Sequence, residues 1–200
     1  LRFAGLRRAI TAKSVDLGPR ARPFVAGLAG VIGADALAGY AIEIRTLPCR
    51  LKVGRRITVP RGALPLRRIA GVWAVPAAIS DGMTSRAGWF AVATAQPGVT
   101  VRSARLSRAP PPDADPDWPP ARLRALSLGG RLFENVPAGV DPSLPPALAG
   151  AIGEAVWWRH GLGLDTRRGG LWIMPGPPPS GAPRAPIGAP RALVLKPALP

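Results

Sequence analysis

The stretch AIEIRTLPCRLKVG, from Ala41 to Gly54, decides how the chain is read. Ile42 and Ile44 fall on one side of an extended backbone and Glu43 and Arg45 on the other. Leu51 and Val53 repeat the alternation, with Arg50 and Lys52 on the opposite side. A period of two with one apolar and one charged face describes half-buried strands. The pattern runs on at Ile57 and Val59 after a Gly54-Arg55-Arg56 turn, and again at Val72-Trp73-Ala74-Val75, where Pro76 is expected to end the strand. Residues 89–95 and 99–106 flank Gln96-Pro97-Gly98 and read as a hairpin. Leu123, Ala125 and Ser127 alternate with Arg122, Arg124, Leu126 and Leu128, and Gly129-Gly130 turns that strand into Leu132 to Val136.

An echo of the opening stretch stands 120 residues further on. Leu28-Ala29-Gly30-Val31-Ile32-Gly33 returns as Leu148-Ala149-Gly150-Ala151-Ile152-Gly153, and Phe24 falls on Leu144. Ile42, Ile44, Leu51 and Val53 fall on Leu162, Leu164, Leu171 and Ile173. A strand that slips by one residue turns its apolar set to solvent, so apolar alternation that stays in phase is a structural signal. Asp141-Pro142-Ser143 reads as a helix cap before a helix ending at Trp158, with Leu148, Ile152, Ala155 and Val156 on its apolar face. Asp165 to Gly170 then turns one strand into Leu171-Trp172-Ile173-Met174. Residues 24–54 and 144–174 are therefore expected to share one shape, with helices near 24–38 and 145–158.

With 47% hydrophobic residues a chain of this length can furnish a core, while 24 Gly and 26 Pro forbid long helices. The expected fold class is α+β: strand-rich, with short antiparallel hairpins, two helices in two similar α-β-β units, and a disordered proline-rich tail. Its expected divisions are a basic arm (1–22), a first half (23–109), a proline and aspartate linker (110–120), a second half (121–174) and the tail (175–200). The arm is nearly free of acid and carries Arg2, Arg7, Arg8, Lys13, Arg20 and Arg22. From Pro23 to Tyr40 the chain is almost wholly apolar or small, but Asp35 lies within it, and an unpaired Asp at the centre of a membrane span costs about 3 kcal/mol. In the tail, Ala192 to Leu195 form the one apolar run suited to an edge strand.

The formal charge of +16 draws phosphate, anionic lipid or acidic protein. All but three of the 27 basic residues are arginine. Arginine shares GC-rich codons with alanine, glycine and proline, so part of the excess reflects base composition. One cysteine, Cys49, and one histidine, His160, do not assemble a zinc site, and Asp113, Asp115 and Asp117 lack the glycine and glutamate of a calcium loop. No phosphate loop or nucleophile elbow appears, and His160 after Trp157, Trp158 and Arg159 reads as a helix C-terminus rather than as a base for Asp165 and a serine. A lone thiol fits a reducing compartment such as the cytoplasm.

No catalytic residue, cofactor or metal is expected. The candidate anion-binding residues are Arg50, Lys52, Arg55, Arg56 and Arg61, because alternation turns the first two to solvent and the next two occupy a turn. Arg67, Arg68, Arg102, Arg105 and Arg108 add to the basic surface, with Trp73, Trp89 and Phe90 as candidate stacking platforms. The expected function is non-catalytic binding or assembly with a nucleic acid, an anionic lipid or an acidic protein. The alternatives are a membrane-peripheral or membrane-anchored protein using residues 1–40 and an enzyme of unrecognised type.

Overall fold

The computed structural model describes residues 2–3, 6–7, 32–33, 36–46, 48–94, 96–104, 106–108, 121–157 and 160–176. The chain divides into two units, Leu1–Leu37 with Pro179–Pro200, and Ala38–Pro178. In the first, β1 (Arg2–Phe3) and β2 (Leu6–Arg7) pair antiparallel, Arg2 opposite Arg7 and Phe3 opposite Leu6. Most of the basic arm, most of the helix expected near 24–38, the 110–120 linker and nearly all of the tail lie outside the described residues.

The second unit contains β3 (Ala41–Thr46), β4 (Cys49–Gly54), β5 (Leu64–Pro65), β6 (Arg67–Ile69), β7 (Val72–Ser80), β8 (Ser85–Val92) and β9 (Val99–Val101). After these come β10 (Ser107–Arg108), β11 (Ala121–Leu128), β12 (Arg131–Val140), β13 (Gly150–Ile152), α1 (Glu154–Trp157), β14 (Leu162–Asp165) and β15 (Gly170–Ile173). Six strands close a barrel in the order β7-β8-β13-β9-β12-β11, and β11 returns to β7 through Leu126 opposite Ile79. The two halves of this ring are alike. In each, a hairpin is followed by a third strand that leaves its own half and lies parallel to the second strand of the other, β9 along β12 and β13 along β8. The two third strands then pair antiparallel, as do the two first strands. The same hydrogen bond recurs where each second strand ends: Ala93 N–H donates to the Ile152 carbonyl at 3.0 Å, and Asp141 N–H to the Val101 carbonyl at 2.9 Å. Phe90, Val75, Val99, Val101, Leu126 and Ile152 are buried inside the ring.

This barrel overturns the expected two-helix α+β class. Among the described residues there is one short helix, α1, and residues 36–39 form a turn. The segment expected as a helix from 145 is a turn followed by β13. The reason is the slot between β8 and β9, which admits only an extended chain without side chains at two points. A Cβ on Gly150 would strike the Thr100 carbonyl oxygen and the Phe90 ring, and one on Gly153 would strike the carbonyls of Gln96 and Gly98. The insertion of β13 also overturns the hairpin expected around Gln96-Pro97-Gly98: β8 and β9 flank β13 instead of pairing with each other.

Three local expectations change for equally physical reasons. The strand at Val72 does not stop at Pro76 but continues to Ser80. Pro76 stands in the gap between the residues that pair with β6 and those that pair with β11, where no neighbour requires its missing N–H. Ile57 and Val59 do not form a strand; they lie in irregular chain, with Ile57 buried against Ala41, Trp172 and Met174. On β11, Leu123, Leu126 and Leu128 all face inward despite the three-residue step from Leu123 to Leu126. The ladder keeps one register but omits a pair: Leu123 faces Val136 and Ala125 faces Glu134, and between Val136 and Glu134 Asn135 takes a φ of 51°.

β6 and β10 extend the barrel's sheet beside β7 and β11, and the other five strands form a second sheet in the order β4-β3-β14-β15-β5. Leu162 and Leu171 on one face join the barrel core, while Trp172 and Met174 on the other are covered by the chain around Ile57 and Ala63. Slot closure makes a stability prediction. Gly150→Ala is expected to cost about 3 kcal/mol or more, because the obstructing atom is backbone. Gly139→Ala on β12, whose added Cβ meets nothing within 4 Å, is expected to change stability by less than about 0.5 kcal/mol. Urea unfolding of both variants checks the contrast.

Candidate anion-binding site

The five residues singled out from the sequence are all exposed. Arg50 and Lys52 lie on β4, at an edge of the five-stranded sheet, and point away from the half-buried Leu51 and Val53. Lys52 sits opposite Glu43 in the ladder, and its Nζ reaches Glu43 Oε2 at 3.9 Å. Arg55, just past the end of β4, stacks its guanidinium over the Tyr40 ring at 5.4 Å; Arg56 follows it. Arg61 is placed apart from these. The chain from Gly54 crosses the sheet to β5 on the opposite edge, and Arg61 belongs to the turn that precedes β5. Four strand spacings separate those edges, roughly 19 Å.

The residue that sequence reasoning left out of the site is Arg45. It is exposed and stands directly opposite Arg50 in the β3–β4 ladder, so two guanidiniums project from one face of a strand pair. The signal for it was present: two adjacent alternating runs paired as a hairpin, Thr46 against Cys49, put 45 against 50. In the second hairpin the corresponding positions are Asp165 and Gly170. There Asp165 is buried and its Oδ1 accepts the backbone N–H groups of Arg167 and Arg168 at 2.9 and 3.0 Å, which closes the turn. The basic pair therefore belongs to the first hairpin alone.

Other basic residues are engaged. Arg67 lies over Trp89 at 5.4 Å and Arg68 over Trp73 at 5.9 Å, both half-buried rings, and Phe90 is fully buried. These aromatics do not present free faces to a base. Arg102 donates through Nη1 to the Leu144 carbonyl. His160 follows α1, its N–H donating to the Trp157 carbonyl at 3.1 Å and its ring edge-on to Phe133. Among the described residues no group of three His, Cys, Asp or Glu side chains is arranged for a metal, and no helix is long and apolar enough to cross a membrane. The hollow lined by Ile79, Asp81, Thr84, Arg86, Ser103 and Ala104 is a shallow surface dimple with no enclosed volume, far short of the ~300 Å³ at which small-molecule pockets begin.

Among the described residues, two carboxyls titrate away from their ordinary values. Hydrogen bonds from the Ser143 hydroxyl and N–H hold Asp141 below the usual range. Burial pushes Glu154, at the start of α1, upward.

With the geometry in view, the protein is defined as a closed six-stranded mixed barrel carrying a basic sheet edge. Neither a protein-family model, nor a curated protein, nor a solved structure matches the chain.

Two measurements follow from these charges. Like charges directly opposite on a ladder are destabilising, so Arg50→Ser is expected to stabilise the protein by a few tenths of a kcal/mol at low ionic strength, roughly, and to lose that gain at high salt. Thermal unfolding against salt reads this. The folded state of Glu154 binds its proton more tightly than the unfolded state does, so its contribution to stability falls as pH rises through that window. Glu154→Gln is expected to raise the melting temperature at neutral pH and to make no difference below the ordinary glutamate range.

Proposed function

We propose that the protein is a non-catalytic binding domain that engages a phosphate-bearing polyanion through Arg45, Arg50, Lys52, Arg55 and Arg56. The observation that carries this reading is the Arg45–Arg50 pair. Two exposed like charges held opposite each other on a strand ladder cost stability, and a bridging anion removes that cost. Guanidinium groups present forked donors that match phosphate oxygens, and donors on a rigid strand pair lose less freedom on binding than donors on a floppy arm. The net charge of +16 adds a long-range attraction that raises the rate of encounter with any polyanion.

The test is binding of single-stranded RNA, duplex DNA and anionic vesicles across a salt series, for the wild type, Arg45→Ala/Arg50→Ala, and Arg67→Ala/Arg68→Ala. The first double variant is expected to weaken binding at least tenfold near 0.1 M salt. It should also lower the slope of log affinity against log salt by about 1.4 to 1.8, the loss of two phosphate contacts. The second is expected to act more weakly. Equal weakening by both, or absence of binding to all three polyanions, overturns the reading.

A further inference from the structure

The charged face of the β3–β4 hairpin is not uniformly positive. Two cross-strand pairs stand side by side on it, Arg45 with Arg50 and Glu43 with Lys52. Neighbours on one face of a strand are about 6.6 Å apart and partners across a ladder about 5 Å, so the four side chains start from the corners of a small rectangle. One corner is a carboxylate. Across the sheet from Glu43 lies Gly163, and then Trp172, whose indole covers Gly163 and is 7% exposed. Arg45 is bordered in the same way: a Cβ on Gly161 would come within 3.2 Å of Arg45 Cγ and 3.0 Å of Met174 Cε.

The inner border of the cations is therefore acidic and apolar. Their outer border is open: the Lys52 side chain is 70% exposed against 26% for Glu43, Arg50 is exposed, and the exposed Arg55 and Arg56 follow where β4 ends. From Arg50 to Arg56 an extended chain covers about 20 Å. The cations thus form a narrow lane along β4 and not a disc spread over the sheet.

Resting on the anion reading above, we propose that the ligand of this lane is a single-stranded nucleic acid laid along β4, one phosphate bridging Arg45 and Arg50 and the next at Lys52, and that Glu43 is the residue that selects it. A single strand carries one phosphate per nucleotide on a backbone whose torsions adjust to the protein, so it can follow a line of cations one strand wide. A lipid surface and a duplex are broader. Lipid headgroups spread over the whole charged face, and a duplex brings a second row of phosphates; both press negative charge onto Glu43, which is backed by Trp172 over Gly163. The single strand passes on the far side of Lys52, whose ammonium, 3.9 Å from Glu43 Oε2, then stands between phosphate and carboxylate.

The experiment measures binding of oligouridine, duplex DNA and phosphatidylcholine vesicles containing phosphatidylserine to the full 200-residue chain, as wild type, Glu43→Gln and Lys52→Ala. At equal phosphate concentration the wild type is expected to prefer oligouridine over the other two by about fivefold or more, the effect of one opposed charge at an anionic surface. Glu43→Gln is expected to tighten duplex and vesicle binding more than oligouridine binding, and so to narrow the preference to about twofold or less. Lys52→Ala is expected to lower the slope of log affinity against log salt for oligouridine by about 0.7, one phosphate contact on a single strand. The inference is overturned, with the anion reading intact, if the wild type binds all three alike or favours duplex or vesicles, if Glu43→Gln leaves the preference unchanged, or if Lys52→Ala leaves the slope unchanged. Binding to none of the three overturns both.

Discussion

Closure of the barrel rests on a steric constraint at one strand. β8 and β9 are consecutive in the chain, yet they are held apart by β13, which must slide between them with its backbone against the Thr100 carbonyl and the Phe90 ring. Only Gly150 permits that approach, and only Gly153 lets the chain pass under the Gln96–Gly98 turn. Once β13 is seated, the Ile152 carbonyl accepts both the Ala93 N–H and the Trp157 indole N–H, which fixes the end of β8 and the short helix together. The helix aims the chain at the five-stranded sheet, so the position of that sheet follows from the same slot.

The sheet shows how one hairpin geometry serves two purposes. In the second copy the positions next to the turn are spent on the fold: Asp165 closes the turn and Trp172 lies over Gly163, where any Cβ would collide with the indole. In the first copy the same positions hold Arg45 and Lys52, and the fold does not need them. The exposed cations Arg45, Arg50 and Lys52 stand together at the β4 edge.

Much of the sheet was legible because period-two alternation survives in both of its hairpins. Ile42, Ile44, Leu162 and Leu164 announce both strands and their matching phase, and Gly129-Gly130 announces a two-residue turn, with φ of 59° and 75° as such turns require. The barrel was not legible. Its crossing strands are three residues long, too short for a period to show, and the run Leu148 to Gly153 has the composition of a small-residue helix. What makes it a strand is the space left by distant residues, a tertiary fact without local trace. β11 defeated alternation in the same way, since the inward face changes from Leu123 to Leu126 where the ladder omits the pair at Asn135, with no change of register. Of the site, exposure followed from alternation, whereas the grouping did not: Arg61 is carried to the far edge by a crossing chain, and Arg45 enters through pairing.

The late position of β13 in the chain has a consequence for how the molecule comes to be folded. The β7–β8 and β11–β12 hairpins join neighbours in sequence and close small loops, so they form on the microsecond scale typical of hairpins. Each crossing strand then has to find a partner in the opposite half, and β13 has to enter between two strands made long before it. On a ribosome, β8 and β9 therefore emerge with the edges that β13 will cover still unsatisfied, and they wait until the chain has reached Ile152. That interval, rather than any step of hairpin formation, sets the period during which the nascent barrel is open to mispairing.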